Sequence, residues 1–192
     1  MGGDWEKHGQ QPLANRQYLG MTLRFADSGY VPMDPLTFMW IQITHFAVTT
    51  LADDRALITE LIRSPQYAYN YASPFDPAAA VVEPAVHGRW WRNSLHAELF
   101  EGRSAVDAEA ILQTWCDEQD WNDPGFQQSS AAQARLRAVF ALLRAGDVYE
   151  LRNPGSDVEH ESGWVTGNGG FHEFAVIDRA SGAIHLIVAS DD

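Results

Sequence analysis

Apolar positions alternate most regularly at the C-terminal end of the chain. In residues 172–192, Phe174, Val176, Ile184, Leu186 and Val188 recur at every second position of two runs, with Gly182 between them. Period two around a glycine predicts a β-hairpin. A three-residue loop, 180–182, with Gly182 left-handed, pairs Asp178 with Ile184, Val176 with Leu186, Phe174 with Val188 and His172 with Ser190. On that register one face carries Phe174, Val176, Ile184, Leu186 and Val188 and belongs to the core. The other carries Glu173, Ala175, Ile177, His185, Ile187 and Ala189, and being half apolar it needs a cover.

Helical patterns come earlier. Asp34-Pro35 is a helix-start signal, and residues 36–51 are apolar nearly all round. Such a segment reads as a buried helix, with a buried strand as the competing assignment because β-branched residues are frequent. Thr50 and Asp53 resemble a capping box before Leu57, Ile58, Leu61 and Ile62, and Pro65 stops that helix. Ser104 and Asp107 precede a third stripe, Ala108, Ile111, Leu112, Trp115 and Cys116. Ser129 or Ser130 caps a fourth, Ala132, Leu136, Val139, Phe140 and Leu143, which Gly146 ends as a left-handed stop.

Shorter runs fill the gaps. Residues 21–25 predict a strand closed by the turn signal Asp27-Ser28-Gly29. Residues 86–91 and 95–100 predict two strands around Arg92-Asn93-Ser94, with Gly102 ending the second. Residues 147–152 predict another, with Val148 and Glu150 on one side and Tyr149 and Leu151 on the other. Residues 73–85 and 153–170 read as loops. Helices and antiparallel strands fall in blocks, so the expected class is α+β: a single domain, 21–192, behind an N-terminal arm, 1–20. Its antiparallel sheet ends in the C-terminal hairpin and packs against about four helices.

Composition narrows the partners. The 192 residues carry 26 acidic and 13 basic side chains, for a formal charge of -13. That field repels phosphates and anionic membranes, so neither nucleic acid nor membrane is expected as a partner; a basic protein or a small-molecule ligand is. One cysteine, Cys116, excludes an internal disulfide and reads as a core thiol. With no secretory pattern at the N-terminus and no long apolar run, the expected location is cytoplasmic.

Candidate chemistry centres on seven histidines. His96 and Glu98, two apart on a predicted strand, form a possible general-base pair. The His-x-Glu outline of zinc deaminases also needs Pro-Cys-x-x-Cys, which this chain lacks. No Gly-x-Ser-x-Gly, phosphate loop or His-Glu-x-x-His occurs, and no cofactor or metal is expected. The glycine-bearing loop 159–170 offers His160, Glu161 and Trp164 beside His172. Trp90 and Trp91, with Tyr67, Tyr69 and Tyr71, are candidates to line a pocket or an interface.

Two functional readings follow. The first is an acidic protein-binding module, of inhibitor or immunity type, that meets a basic partner through Asp157, Glu159, Glu161, Trp164, Glu173, Asp191 and Asp192. The alternative is a small intracellular enzyme or ligand-binding protein. It has an aromatic-lined pocket and a His–carboxylate base, supplied by His96 with Glu98 or by His172 with His160.

Overall fold

A computed structural model of the chain describes residues 22–34, 39–68, 85–88, 90–117, 126–159 and 171–191. Six strands form one sheet in the order β1-β2-β8-β7-β6-β5, and every neighbouring pair is antiparallel. They are β1 (Leu23–Pro32), β2 (Met39–Val48), β5 (Phe100–Arg103), β6 (Asp147–Leu151), β7 (Phe171–Asp178) and β8 (Ala183–Asp191). A separate ribbon joins β3 (Val86–His87) to β4 (Trp90–Trp91). Three helices, α1 (Asp54–Arg63), α2 (Ala105–Asp117) and α3 (Ser130–Leu143), are present among the described residues, against the four expected. None is long and apolar enough to cross a membrane. The class is α+β.

The missing helix is β2. Residues 39–48 are a strand because they lie between β1 and β8 with both faces covered. A strand buried on both sides loses the apolar–polar alternation that would distinguish it from a buried helix. Ile41, Ile43, Thr44 and Val48 suit the pleated surface. β1 also runs straight through the expected turn at 27–29. Only a bulge between Phe25 and Asp27 interrupts its pairing with β2.

Both sheet faces are core. Helices α2 and α3 cover Met39, Ile41, Val148, Phe174, Val176, Ile187 and Ala189 with Ala108, Leu112, Trp115, Leu136 and Val139. Helix α1 covers Phe46, Ala175, Ile177, Ile184, Leu186 and Val188 with Leu57, Ile58, Leu61 and Ile62. This second layer is the cover the hairpin pattern required.

The hairpin is offset by one residue from the expected register. Its loop has four residues, 179–182, and Asp178 pairs with Ala183, Ile177 with Ile184 and Val176 with His185. The Asp178 carboxylate closes the loop by accepting the amides of Ala180 and Ser181, at 3.0 and 3.1 Å. Gly182 is left-handed as expected, at φ 67°. One residue of slip exchanges the faces of β8 relative to β7. Both faces being apolar, the pattern alone did not discriminate.

The caps of α2 and α3 fall where the sequence placed them, whereas α1 starts three residues later than the Thr50–Asp53 capping box implied, with Asp53 itself as the N-cap. Asp53 accepts Ala56 N at 2.8 Å, Ser104 accepts Asp107 N at 3.1 Å, and Ser129 accepts Ala132 N at 3.1 Å. Gly146 is not left-handed. It is required because a Cβ there would lie 2.2 Å from the carbonyl oxygen of Ile177. Residues 86–100 turn earlier than expected, at Gly88 (φ 60°). Arg92–Ser94 and Ala97–Leu99 are single 3-10 turns, so the second strand starts only at Phe100 and contains Gly102.

Candidate functional site

A fully buried polar group in the α1 layer is built from three distant segments. Pro65 stops α1, and Ser64 caps the short turn Pro65–Tyr67, which carries Tyr67 into the core. The Arg92 side chain holds this corner against β4 by donating to the carbonyls of Ile62 and Ser64 at 2.9 and 2.7 Å. On β3, His87 pairs across the ribbon with Trp90. On β7, Glu173 alternates with Phe171 and Ala175 on the face turned to α1.

Tyr67, His87 and Glu173 meet with no solvent exposure at all. The rings of Tyr67 and His87 stack, centroids 3.8 Å apart and planes within 1°. His87 Nδ1 donates to the backbone carbonyl of Tyr67. A carbonyl only accepts, so this bond places a proton on Nδ1. His87 Nε2 lies 2.5 Å from Glu173 Oε2. One further proton lies between them, on the ring or on the carboxyl. In either form the pair has no net charge, which is what allows it to stay buried.

Two polar atoms of this group are left over. Glu173 Oε1 and Tyr67 Oη are buried and neither makes a well-formed hydrogen bond, although the phenol lies close enough to the Glu173 carboxyl to interact with it. Burial, and then the adjacent Glu173, raise the Tyr67 phenol well above its ordinary value, so it is a neutral hydroxyl. Trp90 and Phe171 lie in the same buried cluster, ring centroids 5.2 Å apart in an edge-to-face contact. The site therefore offers a carboxyl oxygen and a hydroxyl, next to a proton-sharing pair, among aromatic rings.

The expected site residues are distributed otherwise. His96 Nδ1 and Glu98 Oε2 do pair, at 3.0 Å, but at 58% and 62% exposure and with Arg55 also on Glu98 at 2.9 Å. The pair is a surface ion cluster outside the buried group. His172 is half-buried on the face of β7 opposite Glu173. Tyr67 and Trp90 belong to the buried group, whereas Trp91 is 44% exposed. Tyr69, His160, Glu161 and Trp164 lie outside the described residues. Glu173, expected as a surface acid, is fully buried. Cys116 is a core thiol, its pKa pushed up to about 12 mainly by burial.

Compared with family models, curated proteins and solved structures, the chain matches none.

Two other clusters are smaller. His45 and His185, opposite each other on β2 and β8, bring their Nδ1 atoms to 2.7 Å. Asp54 accepts from Tyr149 Oη and from Arg179 beside a shallow depression of about 230 Å³, lined by Val48, Leu57, Ile177 and Arg179. That volume is below the ~300 Å³ of small ligand pockets. No group of three or more metal-ligating side chains occurs among the described residues.

His87 and Arg92 were not singled out by sequence reasoning. A glutamate at an inward position of an apolar strand was the available signal, because such a group is buried only when paired.

Proposed function

We propose that this chain is a ligand-binding protein, and that Tyr67, His87 and Glu173 form the polar anchor for a small neutral molecule. The observation that carries this reading is the pair of buried polar atoms, Glu173 Oε1 and Tyr67 Oη, which lie near each other without a well-formed hydrogen bond. Each unsatisfied buried group costs about 1–3 kcal/mol, a penalty that a ligand able to bond both removes. The carboxyl oxygen accepts an N–H or O–H, and the phenol both donates and accepts. Primary amides, lactams and polyols have that complementarity. The neutral His87–Glu173 pair disfavours ions, and the aromatic side chains favour a flat or apolar body. The shared proton gives the pair the means to hold or pass a proton to such a ligand.

Ligand-observed NMR against a panel of primary amides, lactams and polyols tests the reading. Tyr67→Phe and Glu173→Gln serve as paired variants. At least one class should bind the native chain, and each variant should weaken it by about tenfold, the worth of one hydrogen bond. Absence of binding across the panel, or equal affinity for Tyr67→Phe, refutes the assignment.

The second reading, an acidic partner of a basic protein, is favoured by how the arginines are used. Arg55, Arg63, Arg103, Arg135, Arg144, Arg152 and Arg179 are all in ion pairs. The excess of 26 acids over 13 bases is therefore carried by carboxylates beyond these pairs. Affinity for basic proteins that falls steeply with salt supports this reading, and affinity no better than for neutral proteins ends it.

A further inference from the structure

β1 closes one edge of the sheet, and its residues 24–30 are exposed. The other edge, β5, is blunted in the usual way, with only four residues, two of them the charged Glu101 and Arg103. β1 is ten residues long and has Phe25 and Tyr30 exposed at 39% and 48%. Its outer N–H and C=O groups form a template for another strand.

The bulge decides which strand fits. Phe25 and Tyr30 are five apart, so a regular strand would point them to opposite faces. With Ala26 looped out, Phe25 pairs with Phe46 and Tyr30 with Gln42, positions on one face of β2. Both aromatics therefore project on the α1 face of the sheet, as does Ser28, which pairs with Thr44. Two antiparallel edges related by a two-fold axis normal to the sheet must match residues of the same face. Phe25, Asp27, Ser28, Gly29 and Tyr30 are successive rungs, with Ser28 in the middle. Centring the axis on Ser28 sets Ser28 against Ser28, Asp27 against Gly29, Phe25 against Tyr30, Arg24 against Val31 and Leu23 against Pro32. The whole strand is used. Both aromatic pairs form on one face, and Asp27 meets a glycine instead of a second aspartate. That last match matters in a chain of charge -13.

From this self-complementarity we infer that β1 is a homodimer interface: two copies join edge to edge in this register and continue the sheet. The partner is a second copy of this chain.

The test is a cysteine at the axis. Directly opposed Cα atoms lie about 4.5–5.5 Å apart, inside the range a disulfide spans. Cys116, the one native cysteine, is buried. Full-length Ser28→Cys should oxidise to a covalent dimer, and Gly29→Cys, which faces Asp27, should do so at least about tenfold more slowly. In sedimentation equilibrium the unmodified chain should dimerise, and Tyr30→Lys should weaken that by at least about tenfold while keeping the native circular dichroism spectrum. A chain that stays monomeric at high micromolar concentration, or equal cross-linking at positions 28 and 29, overturns the inference.

Discussion

Replacing His87 with alanine removes the group that balances the buried Glu173 carboxyl. The variant loses the hydrogen bond to the Tyr67 carbonyl, the 2.5 Å contact with Glu173 and the 3.8 Å stack on Tyr67. The dominant cost is the Glu173 carboxyl, fully buried and left without compensation. Breaking a buried pair by removing one partner costs about 3–5 kcal/mol. For a chain of this size each kcal/mol moves Tm by about 2–4 °C, so His87→Ala should lower Tm by roughly 6–20 °C. Replacing both partners by apolar residues of similar size, His87→Phe with Glu173→Leu, should recover most of that loss, because no charge is then stranded. The measurement is a thermal and urea denaturation cycle over the two single variants and the double variant. A fall of less than about 2 °C for His87→Ala, or a double variant as unstable as the sum of the singles, would show that the two groups are not energetically coupled.

Two further outcomes follow from the fold and its titrating groups. Gly146→Ala places a Cβ 2.2 Å from the Ile177 carbonyl oxygen and should cost about 1–3 kcal/mol in urea unfolding. Gly102→Ala, with nothing within 4 Å, should stay within about 0.5 kcal/mol, and equal effects would contradict the close approach of Gly146 to β7. Burial and then the neighbouring His45 depress the His185 pKa below 6.5, so below that pH the unfolded chain binds a proton that the folded chain resists. Stability from this group is therefore present above 6.5 and declines as pH falls toward the lower folded value. Urea midpoints from neutral pH down to about 5 should decrease, and the slope should flatten in His185→Asn; an identical slope in that variant would remove the assignment.

The sequence determined what depends on neighbours along the chain. Ser104 and Ser129 cap α2 and α3 because a cap acts on amides two or three residues away, while at α1 the choice between Thr50 and Asp53 fell to Asp53. Val148 and Tyr149 point to opposite sheet faces because side chains alternate along any strand. Left-handed Gly182 and the core position of Cys116 were legible for similar reasons. What depends on distant partners was decided only by the tertiary structure. Residues 39–48 are a strand because β1 and β8 flank them, and no local pattern distinguishes a strand covered on both faces from a buried helix. The hairpin register depended on the Asp178 loop, since two apolar faces impose no preference between neighbouring registers. The candidate site is the furthest from local logic. His87 and Glu173 stand 86 residues apart, and each alone reads as an ordinary polar residue. Their burial is tolerable only together, because the proton they share cancels a charge that neither could keep in the core alone.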